Sequence, residues 1–296
     1  MLLMAMAMPE TLDILGITAV AGNVPLELTQ RNIRIIRELA ARPEIPVFAG
    51  CAQPLERELI TAENVHGSTG IDGARVIEPR QPLAQEHAVD FMIDTLTGAA
   101  ERSVSLVPTG PLTNIGSLLR RRPDLTDRVE EIVLMGGAMR EGGNVTPSAE
   151  FNIRVDPEAA ETVLSSGIKI TMVPLDVTHQ VLVDRESLAE IRGMRSEVAR
   201  ATAGMLEFFN RHDSEKYGSE GAPLHDPCTI AWILRPQLFE GRQCNVAIET
   251  QSPLTLGHTA VDFWGVTQRP HNALWLHNVD RQGFFDLLIE ALARYE

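Results

Sequence analysis

The sequence predicts an α/β fold, a mainly parallel sheet with helices on both faces. Short aliphatic or β-branched runs alternate with segments of helical period at close intervals, the pattern of strand-helix-strand units. Several runs end in glycine-containing turns that lead straight into a helix start. Hydrophobic residues make up 44% of the 296 and charged residues 22%, enough for a sizeable core. No linker, repeat or low-complexity tract interrupts the chain, so residues 1–296 read as a single domain.

MLLMAMAM, at the start, is apolar but carries no basic residue and no small-residue cleavage pattern. It reads as the tail of a buried or amphipathic helix, and it is too short to span a bilayer. Leu12 to Val20 reads as an interior strand that delivers Asn23 to its carboxyl end. Thr29 to Ala41 repeats Ile33, Ile36 and Leu39 on one helical face until Pro43 stops it, and Ile45 to Ala49 gives the next strand. Within Glu56 to Asp72, the small residues of Val65-His66-Gly67-Ser68-Thr69-Gly70 suit a surface loop. Gln85 to Leu96 follows as a helix, with His87 a solvated or packed side chain.

Ser103 to Val107 is a strand running into Pro108-Thr-Gly-Pro-Leu-Thr-Asn114, where Pro111 suits the first turn of a helix. A carbonyl there can serve as a hard oxygen ligand, or the segment is only an efficient turn. Ile132 to Met135 reads as a buried strand that turns at Gly136-Gly137, and Asp156-Pro157-Glu158 carries the marks of a helix start. The long loop between them holds Asn144, Glu150 and Asn152. Ligands of open α/β sheets bind beyond the carboxyl ends of the strands, and two amides with one carboxylate suit a polyhydroxylated ligand. The alternative is that these side chains only brace the loop.

Lys169 to Val173 gives a further strand, followed by Leu175-Asp-Val-Thr-His179. Asp176 and His179 have catalytic chemistry, but a strand-end Asp more often bonds nearby backbone amides. Ser187 to Phe209 supplies two helical segments broken near Gly193, and the charged stretch from Arg211 to Glu220 suits an exposed flap. Leu224-His-Asp-Pro-Cys228 places His225 and Asp226 at a helix start, where Asp226 is either a plain N-cap or a functional carboxylate. Asn245 to Ile248, Leu254 to Phe263 and Ala273 to Val279 read as a meander before a closing helix, Gly283 to Tyr295.

The formal net charge of -14 argues against a nucleic acid or an anionic membrane as partner. Cys51, Cys228 and Cys244 are odd in number, without metal-binding spacing, which fits a reducing compartment such as the cytoplasm.

Taken together, AVAGN (Ala19 to Asn23), PTGPLTN, VLMGGAM, AEFNIRVDPEAA, LDVTH and LHDPCTIAW resemble the nucleoside hydrolases of the inosine-uridine-preferring type, in order and over nearly the whole chain. The resemblance implies a Rossmann-like core, a bound calcium ion (Ca2+), and hydrolysis of the N-glycosidic bond of ribonucleosides to ribose and free base. It implies that Thr109 offers its main-chain carbonyl, and Asp226 a carboxylate oxygen, to the metal. Asn23, Asn144, Glu150 and Asn152 would hold the ribose hydroxyls, and Met135 would line the sugar pocket. His225 and His66 would stand near the base and lean the preference towards pyrimidines. A homodimer or homotetramer and a role in nucleoside salvage follow from the same likeness.

One departure stands out: the family's amino-terminal D-x-D-P-G-x-D-D-A turn is not in this sequence. By the resemblance, a strand and turn of about 20 residues are absent, and with them most calcium carboxylates and the general base. Either the natural protein is longer, or the chain has lost calcium and catalysis. Removing a central parallel strand would leave backbone groups unpaired in the interior, which favours the first explanation. For this polypeptide the expectation is weak or no activity, and the competing reading is a non-catalytic nucleoside or sugar binder.

Overall fold

In the computed structural model the described residues are 1–74, 78–217 and 221–296, and the side chains of 211–217 are outside the description. In chain order the elements begin with α1 (Leu2–Met6), β1 (Ile17–Thr18), α2 (Leu26–Leu39), β2 (Val47–Phe48), α3 (Glu63–His66), α4 (Ala88–Gly98), β3 (Val104–Leu106), α5 (Thr113–Arg121) and β4 (Val129–Met135). The middle of the chain gives α6 (Phe151–Val155), α7 (Pro157–Leu164), β5 (Ile170–Val173), α8 (Leu175–Thr178), β6 (Leu182–Val183), α9 (Arg185–Gly193) and α10 (Glu197–Tyr217). It closes with β7 (Ala222–Pro223), α11 (Pro227–Leu234), β8 (Phe239–Ile248), β9 (Thr259–Asp262), β10 (Ala273–Val279) and α12 (Arg281–Ala293).

The fold is built on β4. Its last four residues, Ile132 to Met135, are all buried, as an interior strand with both faces covered requires. Alternation sends Ile132 and Leu134 to a core shared with α4, α5 and α7, through Met92, Leu118 and Val163. Val133 points the other way, into a core with Ile230 of α11, Phe284 and Leu288 of α12, and Met4 and Met6 of α1. Helices therefore cover both faces. The apolar start of the chain is a buried helix. No helix among the described residues is long and apolar enough to cross a membrane.

The main sheet has the order β3-β4-β5-β10-β8-β9. The pairings β3 to β4, β4 to β5 and β5 to β10 are parallel, whereas β10 to β8 and β8 to β9 are antiparallel. The expected meander is corrected here: β10 does not pair with β9 but inserts between β5 and β8. Ala273, Trp275 and Leu276 are buried, and an interior position is where such a strand loses the most apolar surface to solvent. β1 and β2 pair in parallel as a separate sheet, with β1 much shorter than the Leu12 to Val20 run.

Asn114 ties that small sheet to the rest. Its Oδ1 accepts from the Cys51 amide at 2.8 Å, and its Nδ2 donates to the Ala19 carbonyl at 2.8 Å, just past the ends of β2 and β1. A Cβ on Gly50 would lie 2.4 Å from both the Ala19 carbonyl oxygen and Asn114 Oδ1, so only glycine fits beside the clip. Asp156 makes a second tie: it caps α7 through Ala159 N–H (3.0 Å) and accepts from Leu55 N–H (2.9 Å) and the Thr113 hydroxyl (2.7 Å).

Two local readings change, and a third lies largely outside the described residues. Pro111 lies before α5, which begins at Thr113 after Leu112. His87 is neither merely solvated nor packed: its Nδ1 accepts from Val89 N–H at 3.2 Å and caps α4. The flap reading of residues 211–220 falls largely outside the described residues, although the backbone to Tyr217 continues α10.

Asn114→Ala removes two buried hydrogen bonds and strands an amide and a carbonyl, so it is expected to lower stability by about 2–4 kcal/mol. Urea unfolding measures this, and a loss below about 0.5 kcal/mol would show that the clip is incidental.

Candidate active site

At the carboxyl end of β4 the chain turns through Gly136 and Gly137, the latter at φ +87, a conformation that side chains rarely adopt. The Gly137 N–H donates to Glu150 Oε2 at 3.2 Å. Glu150 also caps α6, a helix the sequence reading did not anticipate, by accepting from Asn152 N–H at 3.0 Å and Ile153 N–H at 3.2 Å. Asn152, on the first turn of α6, donates its Nδ2 to the carbonyls of Met135 (3.1 Å) and Thr109 (3.3 Å). Asn144 Oδ1 accepts from Phe151 N–H at 2.9 Å. All three side chains brace the loop, and all three line a cavity of about 500 Å³.

The same cavity is lined by Asn23, His66, Thr109, Met135, His225 and Asp226. Residues that span the sequence from position 23 to position 226 therefore converge. Asn23 arrives from the turn after β1, where its carbonyl accepts from Ala62 N–H at 2.8 Å. His66 ends α3, and its ring stacks nearly parallel on Phe209 of α10, centroids 5.4 Å apart. Asp226 sits at the start of α11 with helical backbone angles and makes no side-chain cap bond, so the plain N-cap reading is corrected. Its carboxylate instead accepts a hydrogen bond from the Thr109 side chain.

Burial dominates the electrostatics. It pushes the Glu150 carboxyl up to about 7, although three backbone amides pull the other way. Burial likewise pushes Asp226 up, to about 6, and the positive charge of the Met1 amino group and then the Thr109 hydrogen bond oppose it. His225 goes down to about 3 through burial and the neighbouring His179 and His66, so its imidazole is neutral at physiological pH. His225 Nδ1 lies 2.7 Å from the Thr178 hydroxyl, and the His179 ring is tilted against it at 5.7 Å. His179 itself pairs with Glu141 at 2.9 Å. Asp176 has the structural role, accepting from Met139 and Arg140 N–H at 2.7 Å each.

A calcium ion takes six to eight oxygen ligands. Towards one, the described residues bring the Asp226 carboxylate and the Thr109 carbonyl, which already accepts from Asn152. No group of three or more His, Cys, Asp or Glu among the described residues is arranged to hold a metal. These donors do not by themselves fit a calcium ion.

Sequence reasoning missed Thr178. Thr178 stood in the LDVTH run with nothing to mark a side-chain partner 47 positions away. Phe208 and Phe209 of α10 also line the cavity.

Because the folded state holds the Glu150 proton more tightly than an unfolded chain, that group favours folding below its ordinary value of 4.5. The contribution is lost as pH rises through about 7. Between those limits the stability of the protein relative to its Glu150→Gln variant is expected to fall by on the order of 3 kcal/mol, read by urea unfolding. A difference independent of pH would contradict the assignment.

Comparison with known proteins gives the family and the fold. The inosine-uridine preferring nucleoside hydrolase family matches residues 1–286. A pyrimidine-specific ribonucleoside hydrolase RihA of Photobacterium profundum is 52% identical over 295 residues, covering 99% of this chain and 94% of that protein. An uncharacterised protein of Schizosaccharomyces pombe is 47% identical over 292 residues, with 99% and 94% covered. Among solved structures, a purine-preferring ribonucleoside hydrolase from Gardnerella vaginalis superposes with a TM-score of 0.91 at 30% identity, covering 99% of this chain and 93% of that one. The chain belongs to the inosine-uridine preferring nucleoside hydrolase family.

Proposed function

We propose that this protein hydrolyses the N-glycosidic bond of ribonucleosides, pyrimidine ribonucleosides in preference, to ribose and free base, with impaired turnover in this polypeptide, whose described residues bring too few donors for a calcium ion. The observation that carries the reading is the convergence on one cavity of amides and a carboxylate suited to sugar hydroxyls with histidines suited to a nucleobase. In the reaction the bond from C1′ to the base nitrogen breaks and its electron pair leaves with the base. Water oxygen bonds to C1′, and the proton it gives up balances the charge on the departing base. The sugar passes through an oxocarbenium-like state.

Asn23, Asn144, Glu150 and Asn152 hold the hydroxyls, and Met135 lies against the sugar. Glu150, when ionised, places negative charge near the developing positive charge. His225 and His66 face the base, His66 held flat by Phe209. The pyrimidine preference is supported by the RihA relatives, whose name states it. The reading takes residues 1–296 as one domain, since both cores meet on β4. Three free cysteines fit a cytoplasmic setting, salvage of the released base follows from the family resemblance, and exposed Leu254, Trp264 and Val266 offer apolar surface for a homodimer or homotetramer.

A non-catalytic nucleoside or sugar binder is the second reading, favoured by the metal donors that do not make a calcium site. Reducing sugar released from uridine, cytidine and inosine separates the two. The hydrolase reading expects ribose, fastest from the pyrimidine nucleosides, and calorimetric binding of uridine without any ribose would select the binder. Asn152→Ala, which removes a hydroxyl ligand and loosens the Met135 and Thr109 carbonyls, is expected to lower kcat/KM for uridine about 100-fold or more. An unchanged kcat/KM would remove Asn152 from the site.

A further inference from the structure

Thr178 is fully buried at the end of α8, and its hydroxyl meets His225 Nδ1 at 2.7 Å. The two segments are lashed together beside that contact, because Leu224 N–H donates to the Val181 carbonyl at 2.9 Å. Thr178 is fixed from its own side by a backbone bond to the Pro174 carbonyl at 3.1 Å. The separation of hydroxyl and ring is therefore set by backbone.

Two proton arrangements satisfy this distance. Either Nδ1–H donates to the threonine oxygen, or the threonine O–H donates to a bare Nδ1. Among the described residues the hydroxyl has no other hydrogen-bond partner. The first arrangement would leave a fully buried O–H without an acceptor, a cost of about 1–3 kcal/mol. The second gives the hydroxyl its acceptor, and it puts the ring proton on Nε2, the nitrogen left for the cavity that His225 lines.

We propose that Thr178 is a positioning residue for His225: its hydroxyl donates to Nδ1, holds the imidazole in the Nε2–H tautomer and aims that N–H into the cavity. There it faces a base that is gaining an electron pair, which a donor stabilises and a bare nitrogen lone pair would repel. This assignment rests on the hydrolase reading for its consequence but not for its geometry.

The test uses the full chain with Thr178→Val, which keeps the shape without the hydroxyl, and Thr178→Ser, which restores it. Nitrogen-15 NMR of the imidazoles, with His225 identified by its loss in His225→Gln, is expected to show Nε2 protonated in the wild type and the Ser variant and a mixture of tautomers in Val. A proton on Nδ1 in the wild type, or a spectrum indifferent to Val, overturns the proposal whether or not the protein turns over. In kinetics, Val is expected to lower kcat for uridine about tenfold or more with little change in KM, and Ser to recover it. Hydrolysis of 4-nitrophenyl riboside, whose leaving group departs without a donor, is expected to be unaffected. Equal losses on both substrates would mark Thr178 as merely structural. No turnover of either substrate by the wild type would instead count against the hydrolase reading and leave the NMR result to decide Thr178.

Discussion

A buried carboxylate holds this site together. Glu150 accepts from the amides of Gly137, Asn152 and Ile153, and so joins the end of β4 to the start of α6. Without it the left-handed turn at Gly137 and the first turn of α6 would both present unsatisfied N–H groups to the interior. Asn152 is aimed by that helix, and the Met135 and Thr109 carbonyls are in turn held by Asn152. The wall of the cavity depends on one side chain that also belongs to its chemistry.

The same burial sets the charge of the site. Glu150 and Asp226 are both pushed up while His225 is pushed down, so near neutral pH the cavity holds less charge than its residue list suggests. Such a site suits a neutral ligand rich in hydroxyl donors: each hydroxyl that reaches a carboxylate replaces lost water and favours its ionised form. The electrostatics and the geometry are thus both compatible with the proposed ligand, an uncharged sugar carrying a base.

Much of this was legible in the sequence. The class of fold follows from β-branched runs spaced by helical periods, and the start of α7 from Asp156-Pro157-Glu158. Seven of the nine named site residues lie in the motifs that carry the resemblance, His66 and Asn144 lie in loops outside them, and all nine line one cavity. What could not be read was pairing that depends on tertiary packing. The insertion of β10 between β5 and β8 needs the neighbours that bury Trp275, and the capping of α4 by His87 needs the ring turned towards Val89. Short α6 was hidden because its cap is a glutamate, outside the usual Ser, Thr, Asp and Asn. Thr178 was hidden because its partner lies on another element.

The central claim is that this cavity holds a pentose at its β4–α6 wall and a nucleobase beside His66 and His225. A crystal structure of the chain with bound uridine tests it most directly. The account predicts ribose hydroxyls within hydrogen-bond distance of Asn144, Glu150 and Asn152, with the uracil ring lying against the two histidines. Uridine bound elsewhere on the molecule, or reversed with its base against Glu150 and Asn152, would contradict it.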